Sequence, residues 1–467
     1  MIGKKKLSES IDNPQNLWRQ GSLIEIEISD LSNTGDGVGK YQGKTVFVPD
    51  TVTGDRIIAR LIRVKPEYAR AKLDRLLDPS SDRIRPRCIV ADKCGGCQWQ
   101  HIDYNYQLAA KREGVIQTLR RIGGFSHPNV AEIVPSYDIL GYRNKVTYPF
   151  GVSATGKLQA GYYRKGTHQL INLNQCPIQD PRLDPILAEI KQDIQQQDWS
   201  VYDERKHWGQ LRYLSLRIGK NTGEMLITLV SSDKQLKGIS QLAEIWLKRY
   251  PNLVGVNLNH NPNKTNVIFG KETYCISGRS YLNEIFADMR FGLNADTFFQ
   301  VNTKTTEKLL KKIVERLNLK GNEILIDAYC GIGTFTLPLA KKVKMAIGIE
   351  VQQKAIERAS SNAKINGINN VSFQVGKVEN IIPNLAVTPD LVMLDPPRKG
   401  CDRSLIDTLL ETLPSRLVYL SCQPATLARD LKLLTSNNKY ELILVIPVDF
   451  FPQTSHVECI AFLKAIL

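Results

Sequence analysis

The 467-residue chain lacks any long hydrophobic run. Its longest apolar stretches, such as LVMLDPP and LILVIPV, fall far short of the roughly 20 residues that a membrane helix needs. A spanning helix is therefore excluded. No apolar stretch follows the opening MIGKKK, so no signal peptide is expected and a cytoplasmic location is. Internal repeats and low-complexity tracts are missing as well, which removes repeat arrays from consideration. Acidic residues are in short supply. Asp and Glu number 47 against 62 Lys and Arg, a net charge of +15 with a pI near 9.3. A surplus of that size points to a polyanionic partner, most commonly nucleic acid, over a merely soluble basic protein. The nine cysteines form no even, regularly spaced set. In a reducing compartment this argues for metal binding or catalysis and against a disulfide framework.

What is present is globular. Hydrophobic residues make up 42% and charged residues 23%, and the length exceeds one ordinary core, so two or three domains are expected. Residues 22 to 78 alternate apolar and polar positions in LIEIEISDLS and GKTVFVPDTVTGDRIIARLIRV, broken by the glycine-rich NTGDGVGKYQG. This predicts a small β-barrel of the oligonucleotide-binding kind. Between Arg56 and Arg75 seven basic residues (Arg56, Arg60, Arg63, Lys65, Arg70, Lys72, Arg75) stand against only two acids. Such a strand face can follow a phosphate backbone, or simply discourage strand aggregation. Residues 88 to about 290 read as an α+β middle domain with antiparallel strands and a helix from about 103 to 122.

From about 291 strands alternate with helices, which predicts a doubly wound, mainly parallel sheet. Its last segment, ELILVIPVDFFPQTSHVECIAFLKA, holds two strands able to pair as a hairpin. DAYCGIGTF puts Asp327 at a strand end and Gly331 and Gly333 in the following turn, where a ligand can approach the backbone. Glu350 ends the next strand, nineteen residues after Gly331, where a carboxylate can accept both ribose hydroxyls. A dinucleotide site would want a third glycine, but position 336 is Thr, and no basic group near the turn suggests a phosphate. S-adenosylmethionine carries no phosphate and fits better. Asp395 in LDPPRKG stands beside that site on a loop stiffened by two prolines. The aromatic residue that an amino methyltransferase loop carries there is replaced by Arg398, which argues against methylation of an exocyclic nitrogen.

Cys422, in VYLSCQPATLARD, lies at the tip of a buried strand near the same sheet edge. Carbon 5 of a pyrimidine is too weak a nucleophile to take a methyl group unaided. A thiolate adding to carbon 6 makes the ring an enolate and activates carbon 5. A base must then remove the carbon-5 proton. Glu458 in HVECIAF is placed to do so, with His456 and Cys459 as alternatives and Cys459 the more core-like.

The segments DAYCGIGTFTLPLA, LDPPRKG, SCQPATLARDL and FPQTSHVE resemble the signatures of the S-adenosylmethionine-dependent RNA (uracil-carbon-5) methyltransferases. The N-terminal barrel resembles the TRAM domain carried by the 23S ribosomal RNA branch. The resemblance covers nearly the whole chain and implies a domain order. A TRAM barrel occupies residues 15–80, and a middle domain with an iron–sulfur cluster residues 81–290. A Rossmann-like class I methyltransferase domain follows at 291–467, with the segment around 100–130 packing on it. It also implies Cys422 as nucleophile and Glu458 as base, and cofactor or base contacts from Gln300, Tyr329, Glu350 and Asp395. Thr334 departs from the asparagine of the ribosomal relatives.

Cys88, Cys94 and Cys97 in CIVADKCGGCQW, with Cys176 in NQCPIQ, make a four-thiol set. Their chemistry alone leaves structural zinc and an iron–sulfur cluster close. The resemblance implies a [4Fe–4S] cluster at these four positions. Cys275, Cys330 and Cys401 have no spaced partners and are read as buried or incidental. The expectation is a monomeric methyltransferase acting on a 23S ribosomal RNA uridine. The same chemistry on a transfer RNA uridine is the close rival. A non-catalytic RNA-binding protein is a distant one, because Cys422 and Glu458 are both intact.

Overall fold

The computed structural model describes residues 17–466. The MIGKKK start, on which the expectation about a signal peptide rests, lies outside them, as do residues 15 and 16 of the expected barrel. Among the described residues no helix is long and apolar enough to cross a membrane. The chain forms two compact units. The first comprises residues up to Asp92 together with Cys97–Ala110 and Gln453–Ser455. The second holds Lys93–Gly96, Lys111–Pro452 and the chain from His456 onward.

In the first unit, five strands close into a barrel in the order β1-β2-β3-β5-β4. They are β1 (Leu23–Leu31), β2 (Gly37–Tyr41), β3 (Lys44–Val48), β4 (Arg56–Val64) and β5 (Tyr68–Asp78). The alternation read from the sequence explains the closure, since Ile24, Ile26 and Ile28 point inward while Glu25 and Glu27 point out. Two of the seven basic residues are not free for RNA. Arg56 pairs with Glu25 and Asp78, and Arg60 with Asp74. Arg63 and Arg70 oppose each other across β4 and β5. Like charges so placed repel, and a bound phosphate backbone would relieve them.

The second unit contains a seven-stranded sheet in the order β12-β11-β10-β9-β6-β7-β8. Its strands are β6 (Lys145–Val152), β7 (Leu158–Tyr163), β8 (Leu170–Asn172), β9 (Leu211–Ile218), β10 (Met225–Ser231), β11 (Leu253–His260) and β12 (Glu272–Gly278). Strands β9 and β10 are buried along their whole length. A hairpin comes next, β13 (Tyr281–Phe286) and β14 (Met289–Asn294). The boundary expected at 290/291 cuts through this hairpin. Phe286, Phe291 and Phe299 pack edge to face or tilted in one core with the helix Thr303–Leu317 and the C-terminal sheet. The hairpin thus belongs to the core of the C-terminal sheet, and its short alternating strands hide that in the sequence.

The C-terminal sheet has the order β17-β16-β15-β18-β19-β21-β20. Its members are β15 (Ile324–Ala328), β16 (Met345–Glu350), β17 (Val371–Val375), β18 (Leu391–Leu394), β19 (Arg416–Ser421), β20 (Tyr440–Val448) and β21 (Glu458–Ala465). Six strands run in one direction, while β21 runs antiparallel to them between β19 and β20. Neighbouring residues serve opposite faces. Leu325 belongs to one core and Ile326 to the other. Both faces are covered, which explains why these strands read as unbroken apolar runs.

The helix expected at about 103 to 122 runs over Tyr104–Thr118 and widens into a π-turn at Leu119–Gly123. Val115, Leu119 and Val130 enter the second core of the C-terminal sheet. Ala131 N–H donates to Val445 O on β20 (2.9 Å). The first turns of that helix, to Ala110, group instead with the barrel's unit.

Candidate active site

The strand order reverses between β16-β15 and β18-β19, so the crevice at their carboxyl ends is where a ligand is expected. Each strand brings a polar residue to that edge. Glu350 ends β16, Tyr329 follows β15, Asp395 follows β18 and Cys422 follows β19. Because β21 is antiparallel, its first residue, Glu458, stands at the same edge. Ser421 pairs with Cys459, so the next positions outward are Cys422 and Glu458. Thirty-six residues apart in sequence, the two side chains meet across one strand pair.

The turn after β15 is wound tightly. Tyr329 has φ +70°, and Gly331 and Gly333 have φ +54° and +84°. A left-handed residue other than glycine is uncommon, and such positions gather at functional sites. A Cβ built on Gly331 meets nothing within 4 Å, so open space lies over the turn. One oxygen of Glu350 accepts from Gln352 N–H (3.0 Å), and among the described residues no other hydrogen bond occupies the carboxylate. Asp327 is buried and accepts from Thr336 Oγ1, the device that holds the turn to the short helix Thr336–Ala340. Burial, opposed by that hydrogen bond and reinforced by Glu350, pushes the Asp327 carboxyl up to about 7.

Gln300 precedes the helix Thr303–Leu317, whose first turn is capped by Asn302 Oδ1 accepting from Thr305 N–H (3.4 Å). Asn302 Nδ2 donates to Phe450 O (3.1 Å), and Asn144 Nδ2 to Gln300 O (2.9 Å). These bonds fix the Gln300 backbone beside the loop that leads to Glu458. The Gln300 side-chain amide makes no hydrogen bond within the described protein, leaving it for a ligand.

Burial raises the Cys422 thiol, and Glu458 and Asp395 raise it further, while Arg398 opposes them. Glu458 is 6% exposed with no hydrogen-bond partner among the described residues, and burial pushes its carboxyl up to about 7. Asp395 stands well above the usual carboxylate range because of burial, then Glu458 and Asp327. Its N–H donates to Ala328 O (3.4 Å), tying the proline loop to the glycine turn. A thiol, a carboxyl poised near neutrality and one nearby cation are groups with which reversible addition to an electron-poor ring can be built.

A family model described as tRNA (uracil-5-)-methyltransferase matches residues 103–387 and 386–466, and a TRAM domain model matches residues 17–73. The chain belongs to the tRNA (uracil-5-)-methyltransferase family. An uncharacterized RNA methyltransferase of Nostoc sp. is 62% identical over 449 residues, covering 96% of this chain and 98% of the relative. One of Synechocystis sp. is 52% identical over 450 residues, with 96% and 97% covered. The crystal structure of Pyrococcus abyssi tRNA (uracil-54, C5)-methyltransferase with S-adenosyl-L-homocysteine is 30% identical. It superposes with a TM-score of 0.75 over 94% of this chain and 99% of that one. This uracil-5 methyltransferase therefore uses S-adenosylmethionine and acts on RNA, and its N-terminal barrel is a TRAM domain.

Of the alternatives to Cys422 and Glu458, Cys459 is fully buried in the apolar core. His456 is held below its ordinary value by burial and by Arg398, Lys111 and Arg143, so it stays neutral and stacks edge-on with Phe451. Two supporting residues carry no signal in the sequence. Asp430 accepts from Cys401 N–H (2.9 Å) and Tyr419 OH (2.6 Å), and Arg429 donates to Lys399 O (2.9 Å). They clamp the DPPRKGC loop of the methyltransferase to the helix Pro424–Thr435 that starts just past Cys422. Asp430 reads as an ordinary polar helix residue, and only its burial distinguishes it. Arg398 stands in the sequence only as a missing aromatic, whereas in the structure it is the cation that opposes the upward shift of the Cys422 thiol.

Of the cysteines without spaced partners, Cys275 is exposed while Cys330 and Cys401 are buried. Among the described residues no group of three or more His, Cys, Asp or Glu is gathered as a metal-ion site. Cys88 and Cys97 fall in the first unit, and Cys94 and Cys176 in the second.

Proposed function

We propose that the enzyme methylates carbon 5 of a specific uridine in 23S ribosomal RNA through a transient bond between Cys422 Sγ and uracil carbon 6. The convergence of Cys422 and Glu458 at one edge of β19 and β21 carries this reading. Cys422 loses its proton and attacks carbon 6, and the displaced π electrons move onto the carbon-4 oxygen. S-adenosylmethionine, when bound, supplies an electrophilic methyl group. Glu458 then takes the carbon-5 proton, the carbon 5–carbon 6 double bond re-forms and the Cys422 thiolate leaves. Gln300, Tyr329, Glu350 and Asp395 are the residues that would hold the cofactor and base. The open space over Gly331 and the unoccupied Glu350 oxygen suit an adenosine without a phosphate. A cytoplasmic monomer suffices for this chemistry, since every group named lies in one unit of one chain.

The TRAM barrel and the four-cysteine set favour ribosomal RNA, as in the branch the sequence resembles. The likeness to the Pyrococcus abyssi enzyme, which acts on uracil-54 of tRNA, favours transfer RNA. Mapping 5-methyluridine in a deletion strain decides between them. One 23S uridine is expected to lose its methyl group while transfer RNA stays modified, and the reverse pattern would transfer the assignment.

Cys88, Cys94, Cys97 and Cys176 are proposed as ligands of a [4Fe–4S] cluster. Gly96 N–H points at Cys94 Sγ (3.4 Å), the kind of amide donor that thiolate ligands attract. A Cβ on Gly96 would lie 3.5 Å from Cys94 Sγ and 3.6 Å from the Tyr162 ring, and that ring is tilted against Tyr148, whose hydroxyl feels Cys176. Protein purified without oxygen should be brown and carry about four iron and four sulfide per chain. Cys94→Ser should lose both the colour and the iron. Zinc at one per chain with no iron would replace the cluster by a zinc site.

A further inference from the structure

Away from the catalytic edge, the sheet β6–β12 carries two adjoining clefts of about 740 Å³ and 430 Å³. Tyr163 and His168 line both, with rings tilted at 58° and centroids 5.5 Å apart. The larger cleft continues over Tyr202 and Tyr213, and Arg212 lies 4.5 Å from the centre of the Tyr202 ring. Glu204 enters from the hairpin before β9, where it accepts only a long bond from Tyr213 OH (3.5 Å). The same hairpin leaves Trp208 68% exposed. Arg205 and Arg164, both exposed and without ion pairs among the described residues, stand at the rims, where Arg164 Nη1 donates a long bond to Gln169 Oε1 (3.4 Å). The mechanism uses none of these residues.

Stacking rings flanked by unpaired guanidinium groups are what single-stranded RNA requires, because every base has a π-face and every linkage a charge. Of the two carboxylates lining the larger cleft, Asp203 accepts from Arg205 N–H (2.8 Å) and Lys206 N–H (3.2 Å), and Glu204 is the one that adds selectivity. It can accept two hydrogen bonds side by side, and guanine is the base whose pairing edge offers two adjacent donors. We propose that this trough is a second RNA-contact site, which stacks an unpaired guanine of the substrate RNA and reads its edge with Glu204. The proposal rests on the enzyme's acting on RNA and adds a determinant of which RNA it selects.

The test uses the full chain and fluorescein-labelled r(GU)4 and r(AU)4 octamers, with binding followed by anisotropy at fixed salt. The ratio of the two affinities cancels the sequence-independent contribution of the barrel. Wild type should prefer r(GU)4 by about tenfold, within the range expected for a paired base contact. Glu204→Gln should abolish that preference while leaving r(AU)4 binding unchanged. Tyr163→Leu should weaken both octamers by about tenfold, and Tyr163→Trp, which keeps a ring, should restore them. Turnover at saturating RNA should match wild type in every variant, so a failed site is separable from a failed enzyme reading. No preference in wild type, or one that survives Glu204→Gln, overturns the proposal, as does Tyr163→Leu binding within twofold of wild type.

Discussion

Glu458→Gln protein, mixed with substrate RNA and S-adenosylmethionine, accumulates a covalent protein–RNA band on a denaturing gel, and Cys422→Ala yields none. The asymmetry follows from the order of the two roles. Without the thiol, carbon 5 is never activated, and no bond to RNA forms. Without the carboxylate, the bond forms but the carbon-5 proton stays, so the thiolate cannot be expelled. Turnover of Glu458→Gln should fall by about 10² to 10⁴, the usual contribution of a placed base. Wild-type turnover should rise with pH until about 7, because the buried Glu458 carboxyl is pushed up to that value and works only when ionised. The sign for stability is opposite. Ionising a carboxyl raised from its ordinary 4.5 costs the fold increasingly between those values, so Glu458→Gln should gain most in melting temperature above pH 7. A covalent band in Cys422→Ala would move the nucleophile to another cysteine.

Lys111→Met should destabilise the second unit by about 3–5 kcal/mol, the cost of stranding one partner of a buried ion pair. Lys111 Nζ donates to Asp449 Oδ1 (2.7 Å) and to Phe451 O (3.1 Å), and both charged side chains are wholly buried. Asp449 Oδ2 already has no hydrogen-bond partner, so removing the ammonium leaves a bare charge in the core. The pair anchors the helix Tyr104–Thr118 to the end of β20, where the loop toward Glu458 begins. Thermal unfolding should show the loss as a fall of several degrees, and Lys111→Met with Asp449→Leu should recover most of it. A single variant that melts like wild type would mean the pair is not formed.

Much of the fold is legible in the sequence because its causes are local. The barrel follows from a period of two, and the C-terminal strands from apolar runs ended by Asp327, Glu350 and the LDPP turn. Charged core residues are not legible. Lys111, Lys145 and Arg217 read as surface positions, yet Lys111 and Arg217 are buried and Lys145 is half-buried, and the last two donate to Ala295 O, Asn294 O and Thr297 O ahead of Gln300. No periodicity distinguishes a buried cation that has carbonyl partners from an exposed one.

The sequence by itself determined which chemistry is possible, since thiol, carboxylate and glycine turn are properties of residue type and spacing. Only the tertiary structure decided that they stand together. Cys422 follows β19 and Glu458 opens β21, and they share an edge only because the last strand turns back antiparallel into the sheet. Pairing register and strand direction depend on contacts distant in the chain, which no local pattern encodes.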